Sequence, residues 1–221
     1  MRKILLAAAL LMSAACSDDS PKDYFAPFTK DKKVTDAPTS DVFDPKADIL
    51  FVVDNSGSMD GHQRNLAANV NLFTSIFLKN SILDYNIGVI TTDSDGYSSN
   101  VPCCGKLVGT TRIVTKSTAH SDAILQGNLM VGIDGSGREA PFETLSMATE
   151  PGMLTGWNAG FIRSSAALIV IFITDAEDQS QVISPQSMLA KLLLLKNNDK
   201  RYFLSYGAII PSTVNDCTRD S

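Results

Sequence analysis

A chain of 221 residues is long enough for one sizeable domain with an extension, and short for two. Hydrophobic residues make up 44% and charged residues 19%, the balance of a globular core rather than of a disordered chain. The formal net charge is −5 and no stretch interleaves basic with aromatic residues, which argues against nucleic acid as a partner, because phosphate binding rests on Lys and Arg.

Met1-Arg2-Lys3 followed by the apolar run Ile4 to Ala15 has the layout of a secretory signal, and the run is too short for a spanning helix, which takes roughly 20 residues. Ser13-Ala14-Ala15-Cys16 resembles a bacterial lipobox, which implies a signal peptide over 1–15 and a lipid on Cys16. Residues 16–46 then read as the lipidated cysteine and a Ser-, Asp-, Lys-, Thr- and Pro-rich tether that holds a domain, 47–221, off a membrane surface. Ser17 after the cysteine favours, by the same resemblance, the outer membrane or cell surface of the envelope.

Asp48-Ile-Leu-Phe-Val-Val begins the domain as an uninterrupted apolar run, the pattern of a strand buried on both faces. Leu66, Val70, Phe73, Ile76 and Phe77 recur at helical spacing up to Lys79, and Asp84 to Thr92 is a second strand, giving a βαβ unit with parallel strands. A polar loop over 93–110 carries Cys103-Cys104, Thr111 to Thr115 is a short edge strand, and Ser117 to Val131 forms a helix. After the glycine-rich turn Gly132 to Gly137, a helix runs from Glu139 to Thr149 and stops at Pro151-Gly152; residues 152–165 give no clear element. Ala166 to Asp175 is the strongest strand, Ser184-Pro185 caps a helix reaching Asn198, and Tyr202 to Ile210 is the last strand. The order predicts an α/β fold, a three-layer α/β/α sandwich around a mainly parallel sheet.

Two of the apolar strands end in an aspartate, Asp54 and Asp175. In a parallel sheet all carboxyl ends share one edge, where such folds bind ligands, and adjacent strands lie about 4.8 Å apart. Two crowded carboxylates would drive one to take up a proton unless a cation lies between them. Ser56 and Ser58 add hydroxyls at alternating positions, an all-oxygen set suited to Mg²⁺, with Mn²⁺ or Ca²⁺ as alternatives. An N-cap role for Asp54 and Ser56 accounts for that turn but not for the distant Asp175.

Asp54-Asn-Ser56-Gly-Ser58-Met59 after an apolar strand resembles the Asp-x-Ser-x-Ser signature of von Willebrand factor type A (VWA) domains, and Ile173-Thr174-Asp175 is similar to the strand that supplies that family's further Asp. The resemblance implies a metal-ion-dependent adhesion site. It also implies a loop threonine as a direct ligand, and here that loop reads Gly132-Ile-Asp134-Gly-Ser136-Gly-Arg138-Glu139 without one. Ser136, Glu139 or Asp134 could replace it. The family's closing helix has no counterpart after Ile210 in this sequence.

With Cys16 lipidated, Cys103, Cys104 and Cys217 remain, and the reading favours a bridge from the 103–104 loop to Cys217 or to a residue beyond, since neighbouring cysteines seldom join each other. No catalytic residue stands out: Gly-x-Ser-x-Gly does not occur at Ser56 or Ser58, and only His62 and His120 could act as bases. The expectation is therefore a non-enzymatic envelope module whose ion captures a partner protein's carboxylate. A Mg²⁺-dependent hydrolase and a scaffold with a purely structural ion are the alternatives.

Overall fold

In the computed structural model, which describes residues 45–73, 83–98, 100–199 and 202–209, the apolar run after Pro45 becomes β1 (Lys46–Val53). Its alternation divides the core. Ile49, Phe51 and Val53 point to one hydrophobic cluster and Leu50 and Val52 to the other, so β1 is buried on both faces. A one-turn 3₁₀ helix (Gly57–Met59) leads into α1 (Asp60–Phe73), then β2 (Asp84–Thr91). The expected continuation of α1 through Ile76, Phe77 and Lys79 lies outside the described residues.

The remaining elements are β3 (Val114–Thr115), α2 (Ser121–Leu129), α3 (Pro141–Ala148), α4 (Pro151–Thr155), β4 (Ala167–Thr174), α5 (Pro185–Leu195) and β5 (Phe203–Ile209). The sheet order is β3-β2-β1-β4-β5; β1, β2, β4 and β5 pair in parallel and β3 runs antiparallel to β2. Leu125 and Leu129 of α2 and Val70 of α1 join the cluster on one face, while Leu145 of α3 and Met188 and Leu192 of α5 join that on the other. This is the three-layer sandwich with a mainly parallel sheet that the element order predicts.

Two local differences have physical causes. Pro151 does not end the chain of helices but begins α4 at its first position, where its missing N–H costs nothing, and Asn158 returns the chain by bonding Gly105 O and Ala148 O. The helix expected from Ser117 starts only at Ser121, because Thr118 is held in a turn by Thr115. Ser184 caps α5 as expected, its Oγ accepting from Ser187 N at 3.2 Å. Gly88 is required by packing: a Cβ there would stand 2.5 Å from Leu107 and 2.9 Å from Phe161, which close over β2.

The amino edge of the sheet holds a buried ion cluster. Asp48, fully buried on β1, accepts from Arg163 N at 2.6 Å and from Arg163 Nε at 2.7 Å, and Lys196 Nζ stands 3.6 Å away while donating to Arg163 O at 2.6 Å. Burial pushes the Asp48 carboxyl above its ordinary range against the pull of Arg163, and burial pushes the Lys196 ammonium down. Asp48→Ala strands Lys196 without its counter-charge and is expected to cost about 3–5 kcal/mol in urea unfolding; a loss below about 1 kcal/mol would contradict this account of the cluster.

Candidate functional site

The opposite, carboxyl edge carries the functional candidates. Val53 is in register with Thr91 of β2 and with Ile173 of β4. The residue after each, Asp54, Thr92 and Thr174, therefore stands in one row where the ladders end. Asp54 N still donates to Ile173 O at 2.9 Å, and Thr92 N to Val53 O at 3.2 Å.

From there the chain turns under its own side chains. Asp54 Oδ1 accepts from Ser56 N at 2.8 Å, closing an Asx-type turn, and Ser56 O accepts from Met59 N at 3.2 Å to start the 3₁₀ turn. Met59, wholly buried, anchors that turn in the core. Asp54 Oδ2 accepts from Thr174 Oγ1 at 2.9 Å. The Ser56 and Ser58 hydroxyls lie 3.1 Å apart, and Ser58 Oγ donates to Asp175 Oδ1 at 3.1 Å. Asp54, Ser56, Ser58 and Asp175 thus form one linked oxygen cluster, graded from buried Asp54 and Ser56 through half-buried Asp175 to exposed Ser58.

The loop between α2 and α3 closes the side of this cluster. Gln63 Nε2 donates to both Asp54 O and Gly132 O at 2.8 Å, and its Oε1 accepts from Gly132 N at 3.1 Å. Gly135 N donates to Asn55 O at 2.8 Å, so close that a Cβ on Gly135 would fall 2.3 Å from the Asn55 side chain. Ala140 N donates to Thr92 O at 3.3 Å. This path brings Glu139 inward: it is buried, and its carboxyl is raised by burial and by the charges of Asp54 and Asp175, with a hydrogen bond from Ser56 pulling the other way. Gln179 holds it, Nε2 donating to Glu139 Oε2 at 3.0 Å and N to Glu139 O at 2.7 Å.

Of the three residues weighed for the missing threonine, Glu139 alone borders the cluster through these contacts. Ser136 Oγ accepts from Arg138 N at 3.0 Å within its own turn, and exposed Asp134 accepts from Asn100 Nδ2 at 2.7 Å. Asp178 serves elsewhere, its Oδ1 accepting from Phe142 N at 3.3 Å in the first turn of α3. Gln63, Thr174 and Gln179 were not among the sequence candidates. Of these only Thr174, beside Asp175 at a strand end, carried a signal that could have found it.

The donor set bears on what could bind. Among the described residues no group of three or more His, Cys, Asp or Glu side chains is close enough to hold an ion by itself. The donors here are mixed: Ser56 and Ser58 hydroxyls with the Asp54, Asp175 and Glu139 carboxylates, an oxygen-only set of the chemistry that hard divalent cations take. Such an ion would also offset the charges of Asp54 and Asp175, which raise Glu139 after the larger effect of its burial.

A second charged cluster stiffens the rim. Buried Asp93 accepts from the backbone N–H groups of Asp95, Gly96, Tyr97 and Ser98. Arg138 Nη2 donates to Ser94 Oγ at 2.6 Å, Asp95 Oδ1 at 2.7 Å and Glu143 Oε2 at 3.0 Å. Beneath, Cys103 and Cys104 are joined to each other, with Cα atoms 3.7 Å apart and Cys104 in the left-handed region at φ 61°. This corrects the expectation that neighbouring cysteines would look elsewhere for partners: the left-handed turn at Cys104 brings the two thiols together. Cys217 lies outside the described residues, as do the signal segment, Cys16 and residues 210–221.

No protein-family model and no curated protein matches the chain. Solved structures do. A von Willebrand factor type A protein from Catenulispora acidiphila matches at 18% identity and a TM-score of 0.42, over 74% of this chain and 32% of that one. The pilus adhesin SpaC from Lactobacillus rhamnosus GG, in its open conformation, matches at 17% and 0.36, over 61% and 15%. Proximal thread matrix protein 1 from the mussel byssus matches at 16% and 0.38, over 74% and 35%. The chain spans about a third of these structures' length or less. In this chain the parallel strand order puts the Asp54–Ser58 turn at the carboxyl edge of the central strand.

Glu143 gives a pH test of the rim. Although burial raises its carboxyl, Arg138 and the N–H groups of Gln181 and Val182 bring it down to about 2. Its folded value lies below its ordinary 4.5, so its stabilisation is full above 4.5 and disappears as pH falls towards 2. Glu143→Gln is expected to lower stability by about 2–3 kcal/mol at neutral pH. Urea titrations at several pH values should show that difference shrinking below pH 4.5; a difference constant down to pH 2 would contradict it.

Proposed function

We propose that this domain is a binding module that captures a carboxylate of a partner protein through a divalent ion held by Asp54, Ser56, Ser58, Asp175 and Glu139. The observation that carries the reading is the hydrogen-bonded row Asp54–Ser56–Ser58–Asp175 at the carboxyl edge of a parallel sheet. Ser56 and Ser58 would give the ion direct hydroxyl oxygens. Asp54 and Asp175, already accepting from Ser56 N and Ser58 Oγ, would hold it directly or through water, and Glu139 would supply charge from the side. The exposed end at Ser58 would leave positions for a partner's carboxylate, since Mg²⁺ takes an octahedron of oxygens and keeps several sites for water or ligand.

Isothermal titration with Mn²⁺ or Mg²⁺ is expected to give one site per chain, weakened at least tenfold in Asp54→Ala. Capture of a partner from envelope extract should disappear in EDTA. Ion-independent capture, or equal affinity in Asp54→Ala, would overturn the reading.

The module is proposed to work at the cell envelope, tethered by a lipid on Cys16. That rests on the signal-like start and the lipobox resemblance of residues 13–16. Among the described residues no helix is long and apolar enough to cross a membrane. Metabolic labelling of expressing cells with a fatty acid should mark the protein and be lost in Cys16→Ala; an unlabelled wild type would contradict lipidation.

A further inference from the structure

We infer that Thr92, at the end of β2, supplies the hydroxyl that the α2–α3 loop lacks, joining the shell of the divalent ion proposed above; the inference rests on that ion and adds a residue to its site. Asp54 is flanked in the edge row by two threonines, Thr174, which follows Ile173 as the last residue of β4, and Thr92, which follows Thr91 just after β2. The two hydroxyls differ in their partners. Thr174 Oγ1 donates to Asp54 Oδ2 at 2.9 Å, whereas Thr92 Oγ1 has no hydrogen-bond partner among the described residues although Thr92 is only 1% exposed. A buried hydroxyl left unmade costs about 1–3 kcal/mol, so such a group needs a reason to be there.

The backbone gives that reason a place. Thr92 N is fixed by Val53 O, and Thr92 O accepts from Ala140 N, the residue after Glu139. Thr92 is therefore tied both to the strand that ends in Asp54 and to the loop that carries Glu139. By the alternation of β2, Ile90 belongs to the cluster of Val52, and Thr92 follows it in the same row as Asp54.

Other buried polar atoms without a partner do not compete for the role. Thr91 is in register with Val53 and so faces the sheet side of α1 and α2. Asn55, also without a partner, is pressed against Gly135, where the approach leaves no room for even a Cβ. A hydroxyl oxygen is a fit ligand for a hard cation, and the backbone that carries this one is fixed by hydrogen bonds at both its N–H and its carbonyl.

The test uses Mn²⁺ alone, titrated calorimetrically into the full chain and into Thr92→Val, Thr92→Ser and Thr91→Val, with melting temperatures in EDTA alongside. Thr92→Val is expected to weaken Mn²⁺ binding about tenfold or more while leaving the EDTA melting temperature unchanged or higher, because it removes an unmade buried hydroxyl. Thr92→Ser should keep binding within about threefold, and Thr91→Val should bind as wild type. A merely structural role would instead lower the EDTA melting temperature and leave affinity alone. Should Thr92→Val lose its circular-dichroism signature of folding, Thr92→Ala is titrated in its place against the same expectation. Wild-type affinity in a folded Thr92→Val or Thr92→Ala overturns this inference and leaves the proposed function standing, whereas a wild type that binds no Mn²⁺ overturns both.

Discussion

The structure turns on a crowding of negative charge that the parallel sheet makes unavoidable. β1 lies between β2 and β4 in parallel, so the residues that follow it share an edge with those that follow its neighbours. Asp54 and Asp175 come to the same place by that geometry, and the loop between α2 and α3 adds Glu139. Hydrogen bonds from Ser56 N, Thr174 Oγ1 and Ser58 Oγ answer part of the charge. The Glu139 carboxyl is raised first by its burial and then by the charges of Asp54 and Asp175.

Everything around that edge acts to hold it in place. Gln63 bonds the Asp54 turn and Gly132 with one side chain, and Asn55 sets the loop's height by pressing on Gly135. Arg138 and Asp93 fasten the next loop, and Gln179 fastens Glu139 from the β4 side. The amino edge solves a similar problem differently: there the buried carboxylate of Asp48 is met by Arg163 and Lys196 from the protein itself. Among the described residues no Lys or Arg side chain hydrogen-bonds to Asp54, Asp175 or Glu139. One end of the sheet thus supplies its own cations, and the other is suited to borrow one.

The strand endings made half of this legible in the sequence. The unbroken apolar runs before Asp54 and Asp175 marked both as core strands of a parallel sheet, but that they are neighbours is fixed only by the pairing of β1 with β4. Choosing Glu139 over Ser136 needed the path of the loop, which depends on a close approach between Gly135 and Asn55 that no periodicity encodes. Gln63 sits in a helix and looks like any polar helical residue until its two carbonyl partners are known. Thr92 read as the last residue of a strand, and only the register with β1 puts it beside Asp54. The Cys103–Cys104 bond was hidden for a related reason: it depends on the left-handed backbone at Cys104, a local geometry that counting cysteines does not reveal.

The account's central claim is that the carboxyl-edge oxygens hold a divalent ion, and the most direct measurement is anomalous diffraction from crystals grown with Mn²⁺. The account predicts one strong anomalous peak within coordination distance of the Ser56 and Ser58 hydroxyls, with Asp54 and Asp175 around it. A map without that peak, in which Ser58 still donates to Asp175 and Ser56 still lies against Ser58, would contradict it.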